Sequence, residues 1–210
     1  MLRAWRLVEL AVLFVALPVG LYFGPQRIPP LPFLWLIALG CYLVLRRDPT
    51  FDRDSLWRPA AIRQEWKPML ALFAVATVLL LAAMAWLAPR LLFGLVRTHP
   101  VLWAVIMVLY PVLSVYPQGL IYRSFVMHRY APLVGGRRWA LILLSAGCFS
   151  MLHVVFRNPM AMALTFPGGL LFAWRQQKTR SLFVSSVEHA LYGCLMFTAG
   201  LGVYFYARFI

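Results

Sequence analysis

Five side chains in this sequence carry a charge or a labile proton where their surroundings are apolar: Glu9, Arg123, His153, Glu188 and His189. An ionisable group inside an apolar segment is expensive to keep, so each is a candidate for chemistry. Glu9 stands about one turn after Arg6, and an i to i+3 pair with that arginine accounts for it. A buried Arg123 needs an anion or several carbonyls; its bland alternative is to snorkel to the lipid headgroups. His153 follows Phe149 by one helical turn, so the two share a helix face. Two histidines on nearby helices, one of them next to Glu188, point to a polar site in the interior of a bundle. Tyr116, Tyr122 and Tyr192 lie close to these residues and can donate hydrogen bonds to a substrate, although packing is the commoner role for any one tyrosine.

Several familiar constellations are excluded. There is no His-Glu-x-x-His pair, no Gly-x-Ser-x-Gly and no Cys-x-x-Cys. No aspartate falls within an apolar run, which removes intramembrane aspartyl chemistry. Cys41, Cys148 and Cys194 are odd in number and sit in apolar stretches, so they read as small buried hydrophobes.

The elements that must position these residues are membrane helices. Of 210 residues 63% are hydrophobic and only 12% are charged, too few charges to coat a water-soluble globule of this size. Mean hydropathy is +0.79. The fold expected is an all-α, polytopic transmembrane helix bundle. Candidate spans are residues 5–23, 31–45, 70–88, 101–115, 140–155, 160–174 and 183–206, and a break near Gly200 and Gly202 would turn seven spans into eight. Arg3 and Arg6 ahead of the first run resemble a signal peptide, but no small-x-small cleavage site follows, so a retained helix is expected. Pro111 is expected to kink or end the fourth span, and Pro117 to open a new helix carrying Arg123.

The 20 Lys and Arg against 6 Asp and Glu lie between the apolar runs, a pattern of topology and lipid contact rather than nucleic-acid binding. Arg46, Arg47, Arg53, Arg58, Arg63 and Lys67 crowd one loop, and Arg175, Lys178 and Arg180 crowd another on the same side. Arg27, Arg90, Arg97 and Arg157 are the sparser cations opposite, which puts the N-terminus in the cytoplasm. The loop at 46–67, with Asp48, Asp52, Asp54 and Glu65, reads as a solvated cytoplasmic face. It belongs to the N-terminal helices at 1–99, which precede a core at 100–210 that carries the candidate site.

Taken in order, the segments around Arg123, Phe149–His153 and His189 resemble the CAAX prenyl protease / bacteriocin-processing (CPBP, Abi-type) family of intramembrane proteases. That family's pattern is Glu-Glu-x-x-x-Arg, then Phe-x-x-x-His, then His-x-x-x-Asn. Arg123, Phe149, His153 and His189 match it, and Lys178-Thr179-Arg180-Ser181-Leu182 resembles the Thr-x-Ser-Leu lead-in to the last motif. Gly168 and Gly169 resemble the glycines that open the family's intervening helix. The resemblance implies catalytic roles for His153, His189, Arg123 and the residue at 118, with Phe149, Tyr122 and Tyr192 against the substrate. Two positions depart from it. The glutamate pair falls on Gln118 and Gly119, and a glutamine cannot act as a general base. The asparagine falls on Gly193, which removes an amide donor for the oxyanion.

Glu188 is the candidate substitute base, although it points about 100° around the helix from His189, and its alternative is a purely structural pair with Arg123 or Arg180. His153 and His189 offer two nitrogens to zinc, with Glu188 or Gln118 as the third ligand that a catalytic site requires. A metal-free site, in which the histidines position water and stabilise the oxyanion, is the preferred arrangement. The expected activity is intramembrane endopeptidase cleavage of a membrane-bound or lipidated peptide in a bacterial cytoplasmic membrane. The alternatives are a catalytically degenerate relative serving as a scaffold, immunity or substrate-binding protein, and a small transporter, which the lack of repeats disfavours.

Overall fold

The computed structural model describes residues 2–24 and 30–205. Arg27 and the last residue of the seventh expected span, Tyr206, lie outside them. Among the described residues there is helix and no strand. Long helices occupy all the expected positions: α1 (Leu2–Phe23), α2 (Pro30–Arg47), α3 (Ile62–Leu87), α4 (Pro100–Arg129), α5 (Arg138–Leu152), α6 (Pro159–Thr179) and α7 (Leu182–Ala199). Five stretches are long and apolar enough to cross a membrane: Leu2–Phe23, Pro59–Leu87, Pro100–Arg129, Arg138–Phe156 and Leu182–Ala199. The outer surface is apolar, with Val78, Trp86 and Val101 at 66%, 84% and 76% exposure. A water-soluble protein does not present such a shell.

The prolines do not break α4. A π-helical segment, Pro111–Val115, passes directly into Tyr116–Gly119, and a second, Leu120–Phe125, carries the helix on to Arg129. The expected helix end at Pro111 and new start at Pro117 are therefore replaced by one continuous helix. The reason is local. Pro117 has no N–H and its ring displaces the carbonyl four residues back, which a widened turn accommodates. That carbonyl, Leu113 O, accepts the indole N–H of Trp35 from α2 at 3.0 Å. The same solution recurs in α1, where the π segment Val12–Ala16 precedes Pro18.

α4 also changes surroundings along its length. Val101, Val105, Val108 and Val112 face outward, whereas residues 117–127 are buried on every side. The inner half is enclosed by α1, α2, α5 and α7. Phe14, Ala38, Cys41 and Leu45 join Leu120, Ile121, Tyr122, Phe125, Phe149, Phe172 and Leu182 in one buried cluster, so residues 1–99 and 100–210 share a core. α5 runs along α6, and a Cβ at Gly169 would lie 3.0 Å from the Ala146 backbone. This glycine is mid-helix, where it permits close helix packing, rather than at a helix start.

Two caps fix the last helices. Asn158 accepts from Ala161 N–H at the start of α6, and Ser181 accepts from Val184 N–H at the start of α7. The Ser181 hydroxyl also donates to Arg58 O, so the lead-in to the last motif is a helix cap tied to the preceding loop. At its far end α7 stops at Ala199. Gly200 (φ +104°) turns the chain into a 3₁₀ segment, Leu201–Phe205, at the break expected near that glycine.

Glu9 does not pair with Arg6. Its carboxylate accepts from Arg129 at 3.0 and 2.9 Å and from the Tyr130 hydroxyl at 2.9 Å, tying α1 to the end of α4.

Candidate active site

α4 supplies the first wall. The Gln118 side-chain amide donates to Ser114 Oγ at 2.7 Å, one turn earlier. Its carbonyl oxygen, Oε1, is buried and has no hydrogen-bond partner among the described residues. Arg123, only 2% exposed, does not snorkel. It turns inward to His189 Nδ1 at 3.3 Å and Ser186 Oγ at 3.4 Å, with its guanidinium over the Phe172 ring. The guanidinium folds back over Gly119, where any side chain would collide with it and with Leu182. The space of the second family glutamate is thus filled by Arg123 itself.

α5 and α7 supply the histidines. His153 Nδ1 lies 2.8 Å from Phe149 O, the carbonyl one turn before it. A carbonyl only accepts, so Nδ1 carries the proton and Nε2 is left as a free acceptor. The Phe149 ring stands between the two imidazoles, 4.8 Å from His153 and 5.3 Å from His189. His189 stacks on Phe172 at 4.5 Å. Its protonation follows from its neighbours. Arginine only donates, so Nδ1 accepts from Arg123, and the proton of the neutral ring sits on Nε2, 3.4 Å from the Tyr110 hydroxyl.

That assignment tests the zinc arrangement on the donor set. His189 has no lone pair left for a metal, and His153 Nε2 is a single ligand. No group of three or more His, Cys, Asp or Glu side chains converges among the described residues. The residues present do not fit a catalytic zinc, which requires three protein ligands.

These polar groups face a cavity of about 900 Å³ that is otherwise apolar. Gln118, Tyr110, His153 and His189 line it, as do Phe149, Tyr122 and Tyr192. Tyr122 is packed edge-on between Phe14 and Phe149, and Tyr192 lies against Phe73 and Phe172. Tyr116 is elsewhere, its hydroxyl donating to Leu56 O. α1 and α2 close the cavity with Phe14, Leu17, Leu34 and Ile37.

Glu188 is fully buried and faces away from this cavity. Both of its oxygens are taken by Arg175, at 2.9 and 2.7 Å. Arg175 also bonds Glu65, which Lys178 holds at 2.8 Å. Glu65 is therefore buried rather than solvated, and α3, α6 and α7 are joined by a closed charge cluster. Sequence reasoning missed this cluster and it missed Tyr110. Nothing in the spacing signals either, because the partners are brought together only across helix gaps.

Comparison with known proteins bears on the same helices. Residues 98–195 match the family model described as type II CAAX prenyl endopeptidase Rce1-like. That segment is thus similar to the family the sequence motifs resemble. The match runs through α4, α5 and α6 and most of α7, which carry Arg123, His153 and His189. α1, α2 and α3 lie outside it. No curated protein and no solved structure gives a significant match to the chain. With its five long apolar helices and this match, the chain is an integral membrane protein.

Proposed function

We propose that the chain is a CPBP-type intramembrane endopeptidase that cleaves a membrane-associated, lipidated peptide without a metal. The observation that carries this reading is a buried acceptor with no partner among the described residues, Gln118 Oε1, on the wall of an apolar cavity that His153 also lines with the Nε2 lone pair left by its Nδ1–H bond to Phe149 O. Buried acceptors are rarely left unsatisfied, and two on one cavity call for a donor that comes and goes. Water held between them supplies both hydrogens.

His153 is the base that faces the cavity. As the water oxygen attacks the scissile carbonyl carbon, one proton passes to His153 Nε2 while Gln118 holds the other hydrogen. The Nδ1–H bond to Phe149 O stabilises the imidazolium that forms. Arg123 and His189 lie on the side where negative charge develops on the carbonyl oxygen. Collapse breaks the C–N bond, and His153 returns its proton to the leaving amine. Glu188, held by Arg175, keeps a structural part. The cavity's apolar walls accept the lipid, and Tyr122, Tyr192 and Phe149 contact it. α2 and α6 complete a seven-helix bundle whose N-terminus is cytoplasmic, a reading supported by the Arg-rich segment after α2.

The test uses the full chain in liposomes and an internally quenched farnesylated CAAX peptide. Wild type and Glu188→Gln cleave it, and His153→Ala loses about 10²–10⁴ in rate. A wild type that retains the peptide uncut overturns the hydrolytic reading in favour of a binding protein.

A further inference from the structure

We infer that the Tyr110 hydroxyl is the oxyanion donor of this site, standing in for the asparagine amide that Gly193 lacks; this rests on the hydrolytic reading above. Tyr110 is on α4, two turns before Gln118, and both it and Gly193 line the cavity. A Cβ built on Gly193 would overlap the Tyr110 ring and its hydroxyl oxygen. A side chain at 193 and the Tyr110 hydroxyl therefore claim the same volume, and in this chain the hydroxyl has it.

The hydrogen bonds give that hydroxyl a direction. Arg123 Nη1–H is directed to His189 Nδ1 at 3.3 Å. His189 Nε2–H is then directed to Tyr110 Oη at 3.4 Å. Each step fixes the next: arginine has only donors, a neutral imidazole has one donor and one acceptor, and a phenol that accepts still has its own proton to give. The Tyr110 O–H is left to point into the cavity. A donor at the end of such a chain is polarised by the cation at its start. His189 is thereby a positioning residue, and neither a base nor a metal ligand. Tyr110 touches the carbonyl oxygen as charge builds on it.

The quenched farnesylated peptide and reconstituted full chain serve again. Tyr110→Phe keeps the ring and removes the donor, so kcat falls by about 10²–10³ while KM stays within about twofold. Tyr110→Ala/Gly193→Asn frees the volume and returns an amide, and it cleaves about tenfold faster than Tyr110→Ala alone. Tyr110→Phe at the wild-type kcat overturns the inference while leaving the hydrolytic reading intact. A wild type that cuts nothing overturns that reading and the donor role with it. The relay has its own readout in ¹⁵N NMR of the histidine rings. His189 protonated at Nε2, with a signal that moves in Tyr110→Phe, supports it; protonation at Nδ1 overturns it.

Discussion

The protein holds two buried polar clusters, anchored on consecutive residues of α7, Glu188 and His189, and they are finished differently. Around Arg175 every charge is answered: Glu188 binds it through both oxygens, Glu65 binds it from α3, and Lys178 closes the set. Around Gln118, His153 and His189 there is one cation, Arg123, and no carboxylate among the described residues; Gln118 Oε1, on the cavity wall, and Arg123 Nε have no partner there. The first cluster has nothing to offer a ligand, and its value is in holding three helices together. The second is short of partners, and its open acceptor, Gln118 Oε1, belongs to a residue that lines the cavity. In a bundle interior every unsatisfied group is expensive, and this incomplete cluster is the one on which the proposed function rests.

The sharpest way to break this comparison is Arg175→Met. It leaves Glu188 buried without its cation and should lower stability by about 3–5 kcal/mol, read as thermal unfolding in detergent. A melting temperature equal to wild type would show that the closed cluster is not structural. Gln118→Leu is the mirror experiment. It removes an acceptor that has no partner, and Ser114 can turn its hydroxyl to a carbonyl of its own helix. The expected melting temperature is no lower than wild type, with cleavage of the farnesylated peptide down about tenfold. A stability loss like that of Arg175→Met would erase the distinction.

The smallest effect belongs to a carboxyl just past the end of α2. The Thr50 hydroxyl, His128 and the Thr50 N–H hold the Asp48 carboxyl well below the usual carboxylate range. A carboxyl depressed in the folded protein adds stability above its unfolded pKa, about 3.9, and gives it up as pH falls toward the folded value. The stability gap between wild type and Asp48→Asn should be constant near neutrality and shrink below about pH 4. A gap that widens in acid would contradict it.

The sequence exposes residues that violate their surroundings. Arg123, His153 and His189 were legible because a charge or an imidazole in an apolar run has few bland explanations, and the helices were legible from hydropathy. Tyr110 was not, since a tyrosine at a membrane helix has many uses and its contact with His189 crosses a helix gap. Arg175 was hidden by company: next to Lys178 and Arg180 it read as another cation at a membrane edge, and Glu65 read as one more charge in a polar loop. The prolines misled in a different way. A sequence displays the missing N–H of Pro117 but not the Trp35 indole that picks up the freed carbonyl.

The π segment at Leu120–Phe125 makes the numbering of α4 part of its chemistry. In an α-helix residues five apart diverge by about 140°, whereas a π turn sets i over i+5. Gln118 and Arg123 are five apart. Closing the π segment into regular α turns at unchanged length would leave an equally apolar helix that still crosses the bilayer, yet it would swing one of the two away from the other by about a quarter turn. The wide turn there acts as a phase that sets which faces of α4 the two side chains share.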